Sequence, residues 1–168
     1  MIKRVLAAAA LGLLPVAVIA QPATAPVRVN VVGAVQLTST GTTDFGPVPN
    51  QAQTKTINPA GPTGAQTTAS FTATGSAGAT IVVTYAPTVD LCHVTAGCGT
   101  RIVFTANLSA QNQAPQYQHT STPIASDGTV VLNGAGEAYF YLGGSITVPA
   151  NPTPGVHTGL FTLSAAYQ

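Results

Sequence analysis

The chain has 168 residues, of which 5 are Lys or Arg and 4 are Asp or Glu, with a formal net charge of +1. So few charges exclude a nucleic-acid binder and a protein drawn to an anionic membrane surface, since both need clustered Lys and Arg. The length suits one domain with a sizeable core.

The elements follow in chain order. Lys3 and Arg4 precede an apolar run from Val5 to Ala20, with small residues, Val18 and Ala20, at the −3 and −1 positions of a cleavage site. This predicts a secretory signal peptide over residues 1–20. The run has 16 residues and contains Pro15. A membrane span needs about 20, so no stable span is expected after cleavage, and the protein is expected to be exported to the periplasm, the cell surface or the medium. Residues 21–26, with Pro22 and Pro26, read as a short leader, and 27–168 as a single domain. Beyond residue 20 the bases are Arg28, Lys55 and Arg101 and the acids Asp44, Asp90, Asp127 and Glu137; three against four leaves −1. The remaining surface must be built of Thr, Ser, Asn, Gln and Ala. Such a surface has little charge repulsion to keep copies apart, so self-association is expected.

Val27, Val29, Val31, Gly33, Val35 and Leu37 occupy alternate positions, which is a strand pattern with one apolar face. Two readings stay open for it. It is the first strand of its own sandwich, or part of it is a donor that completes a neighbour's sheet by strand addition. Further strands are expected at 54–57, 67–74, 80–85, 101–108, 129–132, 137–142, 146–148 and 156–167. They are rich in Thr, Val, Ile, Tyr and Phe, which suit a half-buried pleated surface. Turns are expected at 58–61, 75–78, 127–128, 133–134 and 143–144. The Gln-rich stretch 109–123 reads as a long exposed loop. No helical period follows the apolar run, and some nine short strands predict an all-β, immunoglobulin-like two-sheet β-sandwich. The last strand carries Phe161, Leu163, Ala165 and Tyr167 on one face. Such an ending is expected either inside a sheet or where something outside the chain uses it.

Cys92 and Cys98 lie in "LCHVTAGCGT". An even pair in an exported chain predicts a disulfide, and closing this loop contributes about 2.4 kcal/mol in the chain-entropy account. The rival is a metal site using Cys92, His93 and Cys98. It needs a fourth ligand, and no second pair of Cys or His stands at ligand spacing, so no metal or cofactor is expected. The glycine run "ATGSAGAT" precedes a strand, whereas a phosphate-cradling loop needs a helix after it; it reads as a hairpin turn. His93, His119 and His157 are scattered, and the acids sit beside turns, where Asp bonds backbone amides. No nucleophile, base or paired carboxylate is spaced for catalysis, so no enzyme is expected.

Two motifs remain, Asp44-Phe45-Gly46 and "YLGGSITVPANPTPGVHTGLFTLSAAY". Together they resemble a family of secreted bacterial proteins known as domain of unknown function 4402, from about Val29 onward. The ending is also similar to that of chaperone–usher pilins and spore coat U proteins, which carry a penultimate Tyr and a Gly fourteen residues from the end; Tyr167 and Gly155 stand there. That similarity implies a last strand, with Phe161, Leu163, Ala165 and Tyr167, that pairs with a periplasmic assembly chaperone, is handed on by an usher, and borders a groove filled by a neighbour's strand. The cysteines depart from the common pilin pattern, because they close a local loop. The expected function is a non-catalytic structural subunit of a cell-surface or extracellular fibre. The alternative is a monomeric secreted binding module, for instance for carbohydrate, using the Gln-rich stretch with Tyr117 and His119.

Overall fold

A computed structural model describes residues 33–61 and 66–168. The first strand, β1 (Gln36–Thr40), begins later than the sequence pattern, and Val27, Val29 and Val31 lie outside the described residues. β2 (Gln53–Ile57), β3 (Ala69–Thr74) and β4 (Thr80–Tyr85) fall close to expectation. β5 (Thr88–His93) follows at once and was not expected, because Asp90 read as a residue beside a turn. β6 runs from Gly97 to Gln111, β7 from Thr122 to Ile124, β8 from Gly128 to Val131 and β9 from Glu137 to Val148. β10 (His157–Thr158) and β11 (Leu163–Tyr167) close the chain.

Two sheets result, as the all-β expectation requires. An eight-stranded sheet has the order β1-β3-β9-β6-β5-β10, with β2 on β9 and β7 on β6; a three-stranded sheet has the order β11-β4-β8. β9 is the spine of the large sheet. Its even positions, Ala138, Phe140, Leu142, Ile146 and Val148, are all buried, as alternation on a pleated strand demands. They meet Leu108 and Ala110 of β6 and Ala69 and Ala73 of β3, and the small sheet covers them with Ile81, Val83 and Leu163. Phe140 is fully buried, and burying a side chain of that size contributes about 2–3 kcal/mol.

Four expectations are corrected. Gly143 and Gly144 do not turn; they lie within β9. Both are glycine because neighbours crowd them: a Cβ on Gly143 would lie 2.6 Å from Pro59 N, and one on Gly144 would lie 2.7 Å from the Phe104 ring. The stretch 75–78 is no hairpin. It carries the chain from the large sheet to the small one, with Gly75 N–H bonded to Gly136 O at 2.8 Å. The stretch 109–123 is no open loop. Ser109 and Gln111 end β6 buried, and a short 3-10 helix (Pro115–Thr120) folds over the outer face of the sheet. There the Ser109 and Ser121 hydroxyls pair at 2.8 Å, and Tyr141 donates to Pro115 O at 3.0 Å. Finally, 156–167 is not one strand: β10 pairs β5 in the large sheet and β11 pairs β4 in the small one. Gly159 sits at the crossing, where a Cβ would come within 2.8 Å of Asp90 O.

Tyr139, on the outer face of β9, donates its hydroxyl to Glu137 at 2.6 Å. That bond to a carboxylate, then burial, then the Glu137 charge push its pKa up to about 12. The folded state therefore favours the neutral phenol. Its contribution to stability is present below the ordinary value near 10 and is lost as pH rises through about 12. Alkaline titration followed by tyrosinate absorbance is expected to show a late phenol that Tyr139→Phe removes. Glu137→Gln should bring it earlier, and an unchanged titration in both variants would contradict the assignment.

Candidate functional site

The sheet edges are where this fold leaves backbone groups unspent. β11 pairs only β4, from Leu163↔Tyr85 to Tyr167↔Ile81, so the last strand is an edge and does not lie inside a sheet. Gln168 N–H donates to Thr80 O at 3.1 Å. Antiparallel pairing alternates. Ala166 and Ser164 therefore also spend their amides on β4, while the N–H and C=O groups of Leu163, Ala165 and Tyr167 point to the free side. Among the described residues nothing bonds them there. β1, itself the edge of the large sheet, comes close to β11.

The side chains of the same three residues face inward. Leu163 is buried, and Phe161, Ala165 and Tyr167 are half-buried against the core. Phe161 precedes β11 and wedges between the sheets, its ring centroid 6.0 Å from Phe71 of β3 and 5.6 Å from Tyr85 of β4. The Tyr167 hydroxyl accepts the Ser76 N–H at 2.7 Å and lies against Gly75. The penultimate tyrosine thus ties the chain end to the β3–β4 crossing.

A cleft of about 950 Å³ opens next to this edge. The small sheet covers only part of the large one. Over the rest, Phe71, Leu91, Phe104 and Ile146 are roofed by the segments 41–50 and 152–161, and the cleft reaches Ser39 of β1 and Phe161. The Asp44-Phe45-Gly46 motif builds one wall. The Asp44 carboxylate accepts Gly46 N–H at 2.8 Å, Gly46 has φ +65°, and the turn drives Phe45 inward, edge-on to Phe104 at 5.9 Å. Lys55 Nζ donates to Phe45 O and Pro47 O and so holds that wall.

Gly155 belongs to the opposite wall. It has φ +138°, and its missing side chain leaves room for the His93 ring. Cys92 and Cys98 form a disulfide across the β5–β6 hairpin, with Cα atoms 4.6 Å apart. In the turn, His93 Nδ1 accepts the Thr95 and Ala96 N–H groups at 3.2 and 2.9 Å. Its Nε2 therefore carries the proton and donates to Pro154 O at 3.1 Å. His157 stacks edge-on against His93 at 5.2 Å. Among the described residues no group of three His, Cys, Asp or Glu stands ready for a metal. Asp90 and Arg101 pair at 2.9 Å in solvent, which is worth at most about 1 kcal/mol. His119 is exposed beside Tyr117, with ring centroids 6.4 Å apart.

Of the candidate first or donor strand, Val35 and Leu37 pack against this chain's own core, Leu37 opposite Ala73, and Gly33 is exposed ahead of β1. Sequence reading left the last strand open between a central strand and one that borders a groove, because strand order decides this and alternation does not encode it; the fold makes it an edge. No helix among the described residues is long and apolar enough to cross a membrane. No curated protein matches the chain. The family described as Domain of unknown function (DUF4402) matches residues 17–167, which include both sequence motifs, and the chain belongs to that family.

Proposed function

We propose that this protein is an exported, non-catalytic structural subunit that assembles by β-strand addition at the free side of β11, forming a cell-surface or extracellular fibre. The observation that carries the reading is the row of unpaired amides on Leu163, Ala165 and Tyr167. An exposed edge of this kind is a template for another strand. The donor is the alternating segment Val27, Val29, Val31 of a neighbouring copy, with residues 21–26 as its leash. Leu37 belongs to the acceptor, since it already pairs with β3. The scarcity of charge supports close packing of copies, and a periplasmic chaperone and an usher are the partners such a subunit needs during export. A second reading is a monomeric binding module, favoured by the exposed Tyr117–His119 ring pair.

Deleting residues 21–32 is expected to leave a folded subunit that does not polymerise. A synthetic peptide of residues 27–35 is then expected to bind it and raise its thermal midpoint. A deletion that still polymerises, or that unfolds without rescue by the peptide, would refute the donor role. A uniform full-length monomer in negative stain would favour the binding module.

A further inference from the structure

The segment between β9 and β11 is built as a strap. It crosses the cleft as Pro152–Thr158, and several of its residues line that cleft, Pro152, Thr153, Pro154 and His157 among them. At its start Asn151 holds φ +50°, an uncommon conformation for a residue with a side chain, and at its end stands Gly159. What holds the strap down is narrow. His157 and Thr158 pair with His93 and Cys92. Val94 N–H donates to Val156 O at 3.0 Å, and His93 Nε2–H donates to Pro154 O at 3.1 Å. Among the described residues, every hydrogen bond and strand pair on Pro152–Thr158 goes to residues 92–94, inside the loop closed by the Cys92–Cys98 disulfide.

We propose that the Cys92–Cys98 disulfide is a latch that holds the strap closed over the apolar cleft, and that thiol–disulfide exchange opens it. Cys98 is exposed and Cys92 half-buried, so an incoming thiolate meets the Cys98 sulfur first. The step balances with a dithiol as reductant. One thiolate of the dithiol bonds to Cys98 Sγ, and Cys92 leaves as a thiolate and takes up a proton. The second thiol then attacks the mixed disulfide and releases Cys98 as a thiol. Two electrons pass to the protein and the reductant becomes a disulfide. Without the bond the turn between β5 and β6 keeps only the His93↔Gly97 pairing and its own caps, and His93 is less firmly fixed under Pro154 and Gly155. β4 and β11 do not touch the latch by hydrogen bond or strand pairing, so the small sheet stays closed. The device is independent of the fibre reading; it needs only the cleft and the strap.

Hydrogen–deuterium exchange of the full chain, oxidised and after treatment with dithiothreitol, tests it, alongside fluorescence of added 1-anilinonaphthalene-8-sulfonate. Reduction is expected to speed exchange across 151–159 at least tenfold and to raise dye fluorescence severalfold, with β4 and β11 unchanged. Replacing both residues, Cys92→Ser with Cys98→Ser, should do the same. Gly155→Ala, which pushes a methyl into the His93 ring, should loosen the strap while the disulfide stays intact. Unchanged exchange over 151–159 after reduction would overturn the latch. So would loss of protection in every strand together, which would make the bond a staple of the whole domain. Faster strap exchange with no added dye binding would overturn control of the cleft.

Discussion

Phe161→Ala is expected to destabilise the fold by about 3 kcal/mol, the lower end of the range for removing a core phenylalanine. Phe161 is half-buried, which argues against the upper end. Its position argues against a small effect. The ring touches Phe71 of the large sheet and Tyr85 of the small one, so it ties together two layers that share few other aromatic contacts. Each aromatic pair adds about 0.5–1.5 kcal/mol beyond its buried area. Truncation also widens the cleft that Phe161 lines. Thermal unfolding followed by circular dichroism should show a midpoint lowered by roughly 10 °C. A shift of a degree or two would mean that the sheets are held together elsewhere.

Gly144→Ala is expected to cost about 3 kcal/mol or more. Gly144 has φ +144°, which a residue with a side chain adopts only under strain. Its neighbours leave no room: the added methyl would meet Thr105 O of β6, and the Phe104 ring would lie 2.7 Å away. Both neighbours belong to the central pairing of β6 with β9, so relief of the clash pulls the longest ladder of the molecule apart. Gly134→Ala is the fitting control. No heavy atom lies within 4 Å of a methyl there, and the change should stay within about 0.5 kcal/mol. Equal midpoints for the two variants would contradict this account of Gly144.

The same glycine shows where reading by sequence stops. Gly143-Gly144 carries the local signature of a turn, and its actual cause is a neighbour thirty-nine positions away in the chain, Thr105. Alternation was legible wherever one face is buried and the other wet, so β3, β4 and the inward set Leu163, Ala165, Tyr167 were readable. The disulfide was readable because Cys92 and Cys98 stand six positions apart with no second pair of Cys or His at metal-ligand spacing. Ser109 and Gln111 were not readable. Their polarity suggests solvent, and only the 3-10 helix folded over them, with Tyr141 and Ser121 as partners, makes their burial tolerable. β10 and β11 looked like one strand because only Gly159 interrupts a Thr-, Leu- and Phe-rich run, and the break there is set by Asp90 O of β5. Sequence alone left two places open for the last strand, central or edge, since the choice follows from which strands are neighbours. Phe45 of the family motif, and Gly155 and Tyr167, which carry the similarity to pilins, each have a packing role within this chain.

Strand addition at β11 can be tested by one backbone atom. The Ala165 N–H points to the free side, and the Ala166 N–H points to β4. Proline removes an N–H and is tolerated in a strand only where that group faces outward. Sedimentation and negative-stain imaging of Ala165→Pro, with Ala166→Pro beside it, compare the two sides of the same strand. The account predicts that Ala165→Pro melts within a few degrees of the parent protein and no longer forms polymers, while Ala166→Pro fails to fold stably. An Ala165→Pro protein that polymerises like its parent would contradict strand addition at this edge.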